Sequence, residues 1–113
     1  MAERGDVLAS KRRLGFGAGG ATERFVVVQA DALNEVLETT LAIPLDAAHA
    51  YYSDYPGAVL VRAAEIGASR DQVAVVTALG SVDLSRFEPA PVARLAPATL
   101  DELDRMLAIV LSL

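Results

Sequence analysis

A basic, glycine-rich segment, "SKRRLGFGAGGATER" (10–24), runs directly into "FVVVQ" (25–29). Arg24 stands at the junction. A guanidinium keeps its charge at every working pH and costs several kcal/mol to bury unpaired, so its place at the mouth of an apolar strand needs a reason. Phosphate chemistry offers one, because the planar fork gives two parallel hydrogen bonds to phosphoryl oxygens. Lys11, Arg12 and Arg13 put three more cations just upstream. The plainer alternative is a solvated surface loop, with Arg24 paired to Glu23 or another nearby acid.

The charge distribution sharpens the choice. The net charge is −5 over 113 residues. Residues 1–24 carry five basic and three acidic groups, a net of +2; residues 25–113 carry five and twelve, a net of −7. Positive charge therefore gathers at one end, a modest electrostatic footprint for a nucleic-acid backbone. The chain has no Cys and a single His, His49. That excludes disulfides, zinc–thiolate sites, a cysteine nucleophile and poly-His metal clusters. Gly15, Gly17 and Gly20 match G-x-G-x-x-G, but a strand follows where a dinucleotide site needs a helix. No cofactor is expected. No stretch reaches the roughly 18 apolar residues that span a bilayer, and "MAERGDVLAS" lacks the apolar core of a signal peptide. The expectation is a soluble cytoplasmic protein without a membrane partner.

These groups need elements to position them. With 53 % apolar residues, one domain over 1–113 is expected. β-branched content predicts strands at 25–29, 39–45, 58–63 and 72–79, with shorter ones at 5–9 and 91–96. Pro44, which has no N–H, is expected to mark an edge or the end of its strand. Residues 46–57 read as a loop and Gly67 to Asp71 as a turn. Asp31 reads as an N-cap for a helix over 32–38, with Leu33, Val36 and Leu37 on its apolar face. Thr99 and Glu102 form a capping-box pattern before a helix over about 100–112. Leu100, Leu103, Leu107, Val110 and Leu111 recur there at helical spacing, and Met106, Ile109 and Leu113 broaden the apolar face. The pattern is mainly β with helices (α+β), as a small, bent, mostly antiparallel sheet.

The order of these motifs resembles a known family. "RGDV" (4–7), "RFVVVQADALN" (24–34), "TTLAIPL" (39–45), "YPGAVL" (55–60), "RDQVAVVTALGSVDLSRF" (70–87) and "PVARLAPATLDELDRMLAIVLSL" (91–113) resemble the MazF/PemK toxin endoribonucleases of bacterial toxin–antitoxin pairs. The resemblance implies a small SH3-like, CcdB-like bent barrel with a C-terminal α-helix, forming a homodimer. It implies metal-independent cleavage of single-stranded RNA, often mRNA, and a cognate antitoxin as partner.

Carried over residue by residue, the resemblance makes Arg24 the catalytic arginine that stabilises phosphoryl charge. The proline that usually follows is Phe25 here. The usual Ser or Thr after the next strand is Asp46, a carboxylate able to serve as general base toward the 2′-OH. His49, in the same stretch, is the candidate acid for the 5′-oxygen. As alternatives, Asp46 caps a turn and His49 is an exposed loop residue. Lys11, Arg12 and Arg13 are candidates for gripping the RNA backbone. Tyr52, with Tyr51 and Tyr55, offers a ring for an unstacked base or is an edge-of-core residue. A Glu-Gln-Ile-Arg run that contacts RNA in the family reads Thr77-Ala78-Leu79-Gly80, and the family's acidic loop residue is missing from "GAGGAT". These losses support the rival expectation of a module that binds an antitoxin without cleaving RNA. Gyrase poisoning, seen in related toxins with a tryptophan-bearing tail, fits poorly with a chain that has no Trp.

Overall fold

The computed structural model describes residues 2–11, 23–47 and 52–113. Among these, seven strands form one antiparallel sheet: β1 (Asp6–Ala9), β2 (Arg24–Val27), β3 (Thr39–Ala47), β4 (Ala58–Val61), β5 (Gln72–Val75), β6 (Gly80–Asp83) and β7 (Ala93–Arg94). Their order is β4-β5-β3-β2-β1-β7, with β6 also paired to β3. The sheet curls into a half-barrel, and the helix α3 (Pro97–Val110) packs on it.

β3 explains the curl. One side pairs with β2 from Ala42 to Leu45. The other side is shared: β6 takes Thr39 to Ala42, and β5 takes Leu45 to Ala47. Pro44 sits in the handover between them, buried and opposite Phe25. The expectation that it marks an edge or a strand's end is therefore corrected. Proline is tolerated inside this central strand because the β5/β6 side offers it no ladder partner.

Both faces of the sheet are covered, so its central strands read as continuous apolar runs. Val7, Val26, Ile43 and Leu45 belong to the main cluster, which Leu103 of α3 closes. The intervening Leu8, Phe25, Val27 and Ala42 form the second cluster with Phe87. Phe25 and Phe87 meet edge to face, with centroids 5.4 Å apart.

Several other expectations are corrected. The run 72–79 is not one strand: it breaks after Val75 into a 3₁₀ turn (Val76–Ala78), and β6 follows. β3 extends to Ala47, so Asp46 lies in a strand and not in the expected loop. A short helix, α2 (Ala63–Ile66), follows β4 and ends on Gly67 at φ 62°, a left-handed position that glycine adopts without strain. α1 spans only Asp31–Asn34, with Ala30 as its N-cap. Its buried residue is Asn34, while Leu33, Val36 and Leu37 stay exposed. Polar bonding wins there. Asn34 Oδ1 accepts from Gln29 Nε2 and Thr40 Oγ1, and Asn34 Nδ2 donates to the Gln29 carbonyl.

α3 begins earlier than the capping box implies. Its N-cap is Ala96, Pro97 occupies the first turn, and no side chain caps it from within. Instead, Glu65 of α2 accepts from the Ala96 N–H and from Thr99 Oγ1. A carboxylate from a distant element thus takes over what the local motif promised. An ion pair between Arg4 and Asp104 ties the first strand's approach to the middle of α3.

Candidate active site at the neck of the basic segment

The basic segment leaves the sheet after Ser10 and returns at Glu23. Its neck is closed twice: Ser10 N–H donates to the Glu23 carbonyl at 2.8 Å, and Glu23 N–H donates to Ser10 Oγ at 3.1 Å. Ser10 is buried. The next residue, Arg24, is the first of β2 and stands opposite Ala9 and Leu45. Its backbone is thus held from both sides, while its side chain is part-exposed. Among the described residues, no hydrogen bond or ion pair occupies the guanidinium. The pairing with Glu23 or a neighbouring acid, weighed from the sequence, is not found among those residues. Lys11 sits beside this neck, its N–H donating to the Arg86 carbonyl at 2.9 Å.

Asp46 lies one residue beyond the β2–β3 ladder, opposite Val73 of β5. Both its carboxylate oxygens accept hydrogen bonds, Oδ2 from the Tyr52 hydroxyl at 2.6 Å and Oδ1 from the Ala47 N–H at 2.8 Å. The Tyr52 ring meets Tyr55 edge to face at 5.3 Å. Tyr52, which the sequence suggested as a surface for a base, therefore directs its polar end at Asp46. Each carboxylate oxygen has a second lone pair, so Asp46 can still accept a proton from a substrate.

The register decides how these groups relate. Opposed residues in an antiparallel pair share a face, and neighbours alternate. Arg24, opposite Leu45, belongs to the face of the main cluster. Asp46 belongs to the face of Phe25 and Ala42. Arg24 stands opposite Leu45, the chain neighbour of Asp46, and no ion pair joins the two charges among the described residues. Neither charge is spent on the other.

Arg12, Arg13, His49 and Tyr51 lie outside the described residues, as do Gly15, Gly17 and Gly20. Among the described residues, no three His, Cys, Asp or Glu side chains are grouped to hold a metal ion, and no helix is long and apolar enough to cross a membrane. Thr77 and Ala78 are exposed on the 3₁₀ turn before β6.

Two residues of this region escape a reading of the sequence. Ser10 looks like one more loop serine; a polar residue between an apolar strand and a basic run was the available signal. Arg86 follows Asp83 by three residues at the end of β6. That spacing becomes visible only once the break after Val75 is recognised.

The family profile described as PemK-like, MazF-like toxin of type II toxin–antitoxin systems matches residues 3–111. No curated protein sequence matches the chain. Among solved structures, the fold is similar to an endoribonuclease in complex with its cognate antitoxin from a mycobacterial species, at a TM-score of 0.78 and 18 % identity, covering 100 % of this chain and 97 % of that one. It is similar to MazE–MazF from Deinococcus radiodurans at a TM-score of 0.76 and 24 % identity, covering 99 % and 97 %. Toxin MazF-mt6 of Mycobacterium tuberculosis matches at a TM-score of 0.75 with 9 % identity, covering 96 % and 97 %.

Proposed function

The chain belongs to the PemK-like, MazF-like toxin family of type II toxin–antitoxin systems, and on that premise we propose that it is a metal-independent endoribonuclease that cleaves single-stranded RNA, mRNA among its targets. The observation that carries this reading is Arg24: a guanidinium on a strand end, braced by its backbone, with no partner among the described residues.

The proposed chemistry uses Arg24, Asp46 and His49. Asp46 takes the proton of a ribose 2′-OH, and the 2′-oxygen attacks the adjacent phosphorus. The P–O5′ bond breaks, and the 5′-oxygen receives a proton from His49. The products are a 2′,3′-cyclic phosphate and a 5′-OH end. Negative charge on the nonbridging oxygens is met by the Arg24 fork. Because Arg24 and Asp46 belong to opposite faces, base and charge stabiliser approach the phosphate from different sides. Tyr52 orients the base. Lys11, Arg12 and Arg13 hold the RNA backbone. The protein works as a cytoplasmic homodimer and is held inactive by a cognate antitoxin; the similarly folded mycobacterial endoribonuclease, solved in complex with its cognate antitoxin, supports the antitoxin part of this reading.

The test is incubation of the purified protein with long single-stranded RNA in EDTA. Fragments with 5′-OH ends should accumulate, and Arg24→Ala should abolish them. Persistent absence of such fragments sinks the nuclease reading.

One observation favours a second reading, an antitoxin-binding module without cleavage. The turn and strand at Thr77 to Gly80 present no charged group. That module would bind an antitoxin peptide tightly, with a raised melting temperature, while leaving RNA intact.

A further inference from the structure

We propose that the exposed ridge formed by α1 and the turn after it, Leu33, Val36 and Leu37, docks a short amphipathic segment of a partner protein, one whose Lys or Arg residues flank its own apolar side chains. The surface lies apart from the candidate active site, and the inference uses none of the nuclease chemistry.

The ridge is held outward from beneath. Asn34 is 2 % exposed and bonded to Gln29 and Thr40, so α1 turns its other side to solvent. The Leu33 carbonyl accepts from the N–H groups of both Val36 and Leu37. The turn therefore continues past Asn34 and sets the three apolar residues at i, i+3 and i+4, on one face. They are 48 %, 74 % and 44 % exposed. Because the Asn34 network fixes the backbone under them, a partner meets an ordered ridge and little entropy is lost on docking. An exposed apolar patch with a charged rim marks a contact surface.

Charge says what covers it. Glu35 and Glu38 are exposed on the same turn, and Asp31 opens α1. No Lys or Arg occurs between Arg24 and Arg62. Arg4 lies beside Asp31, but its guanidinium is taken by the Val28 carbonyl and Asp104. Among the described residues, neither Glu35 nor Glu38 forms an ion pair. An apolar ridge with an unneutralised acidic rim complements a segment with an apolar centre and cationic flanks. The same rim disfavours the rival occupants. It repels the phosphates of RNA and the anionic surface of a membrane. A second copy in a two-fold contact would set the patch against itself and bring Glu35 and Glu38 near their own counterparts.

The position gives the contact a use. α1 follows β2 at its Val27 end, while Arg24 stands at the other. A partner seated on the ridge leaves the Arg24 end of the β2–β3 pair open, so the chain is tethered without being blocked.

The test uses the full chain and a synthetic helical peptide of leucine and lysine that bears one tryptophan. The chain has no Trp, so tryptophan emission reports the peptide alone. The peptide should bind, and amide shift changes in isotope-labelled protein should centre on residues 31–39. Val36→Ser with Leu37→Ser should weaken binding about tenfold or more, and so should Glu35→Lys with Glu38→Lys. All four residues are exposed, so the melting temperature should hold. A peptide with glutamate in place of lysine should not bind. Failure of the lysine peptide to bind, shift changes centred on α3, or unchanged affinity in the Glu35→Lys, Glu38→Lys protein each overturns the proposal. Two further results give the ridge to another occupant and overturn it as well. One is an oligomer of the parent that Val36→Ser with Leu37→Ser dissociates in sedimentation. The other is pelleting with phosphatidylglycerol vesicles that the same change abolishes. The nuclease reading is separate: Arg24-dependent cleavage without peptide binding keeps the nuclease and removes the ridge, and peptide binding without cleavage does the reverse.

Discussion

The Tyr52 hydroxyl donates to Asp46 Oδ2 at 2.6 Å, while the other oxygen of the same carboxylate accepts from the Ala47 N–H. A carboxylate held at both oxygens has one orientation. That is what a general base needs when its partner proton sits on a flexible ribose.

Tyr52→Phe removes one of the two constraints and keeps the ring. It should lower the single-turnover cleavage rate about tenfold, or ~1.4 kcal/mol in barrier, with RNA affinity unchanged. Asp46→Asn should cost on the order of 10²–10⁴-fold, the usual worth of general base catalysis. A Tyr52→Phe protein that cleaves at the parent rate but binds RNA poorly would return Tyr52 to a base-stacking role.

Arg24 should tolerate no conservative change. Lysine brings a point charge where the site uses a fork. Both Arg24→Lys and Arg24→Ala should therefore lower the cleavage rate by about 10²-fold or more. Stability should hold, because no bond to the guanidinium is found among the described residues. A melting temperature that falls by many degrees in Arg24→Ala would show a structural role instead.

On the proposed nuclease reading, Ser10 acts as a positioning residue for Arg24 by closing the neck at Glu23. Ser10→Ala leaves the part-buried Glu23 N–H without its acceptor. The loss should be about 1–2 kcal/mol of stability, read as a lower denaturant midpoint at constant slope. Cleavage should fall through kcat rather than KM, since the residue touches no substrate. Ser10→Thr, which restores a hydroxyl, should recover part of both.

Asp31 gives the fold an acid-sensitive tie. Its carboxylate accepts from the Arg4 N–H at 2.7 Å and from Asn34 Nδ2, and these bonds hold its pKa below the ordinary 3.8. A depressed pKa in the folded state means that the contribution is complete above about pH 4. It fades as pH falls through the folded value. Asp31→Asn should therefore lower stability at neutral pH and flatten its decline below pH 4. Equal acid sensitivity of parent and variant would count against this assignment.

Asn34 should be among the costliest single polar changes. Asn34→Ala strips partners from Gln29 and Thr40, both buried. Groups left buried without partners cost about 1–3 kcal/mol each, so a loss of roughly 3 kcal/mol is expected in chemical denaturation. A loss under 0.5 kcal/mol would mean that the network relaxes or admits water.

Much of this was legible before any coordinates. Strand chemistry at "FVVVQ" and "AVLVRA" and the helical spacing of Leu100, Leu103 and Leu107 are local properties, and the chain honours them. The charge imbalance around Arg24 pointed to the neck where the candidate site lies. What misled were local motifs with a distant competitor. Thr99 and Glu102 spell a capping box, yet Glu65 reaches the helix start first. Leu33, Val36 and Leu37 spell an apolar helix face, yet Asn34 is the residue drawn inward by Gln29 and Thr40. Pro44 spells an edge, yet it sits in a central strand where two partners change over.

Residue type and spacing alone determined which segments would be strands, where the terminal helix would lie and where positive charge would gather, because those follow from side-chain shape, periodicity and charge. Only the tertiary structure decided that Arg24 and Asp46 belong to opposite faces of the sheet and that Tyr52 bonds to Asp46. Strand register sets the first. It depends on pairings between segments far apart in the chain, where a shift of one residue would turn every side chain to the other face.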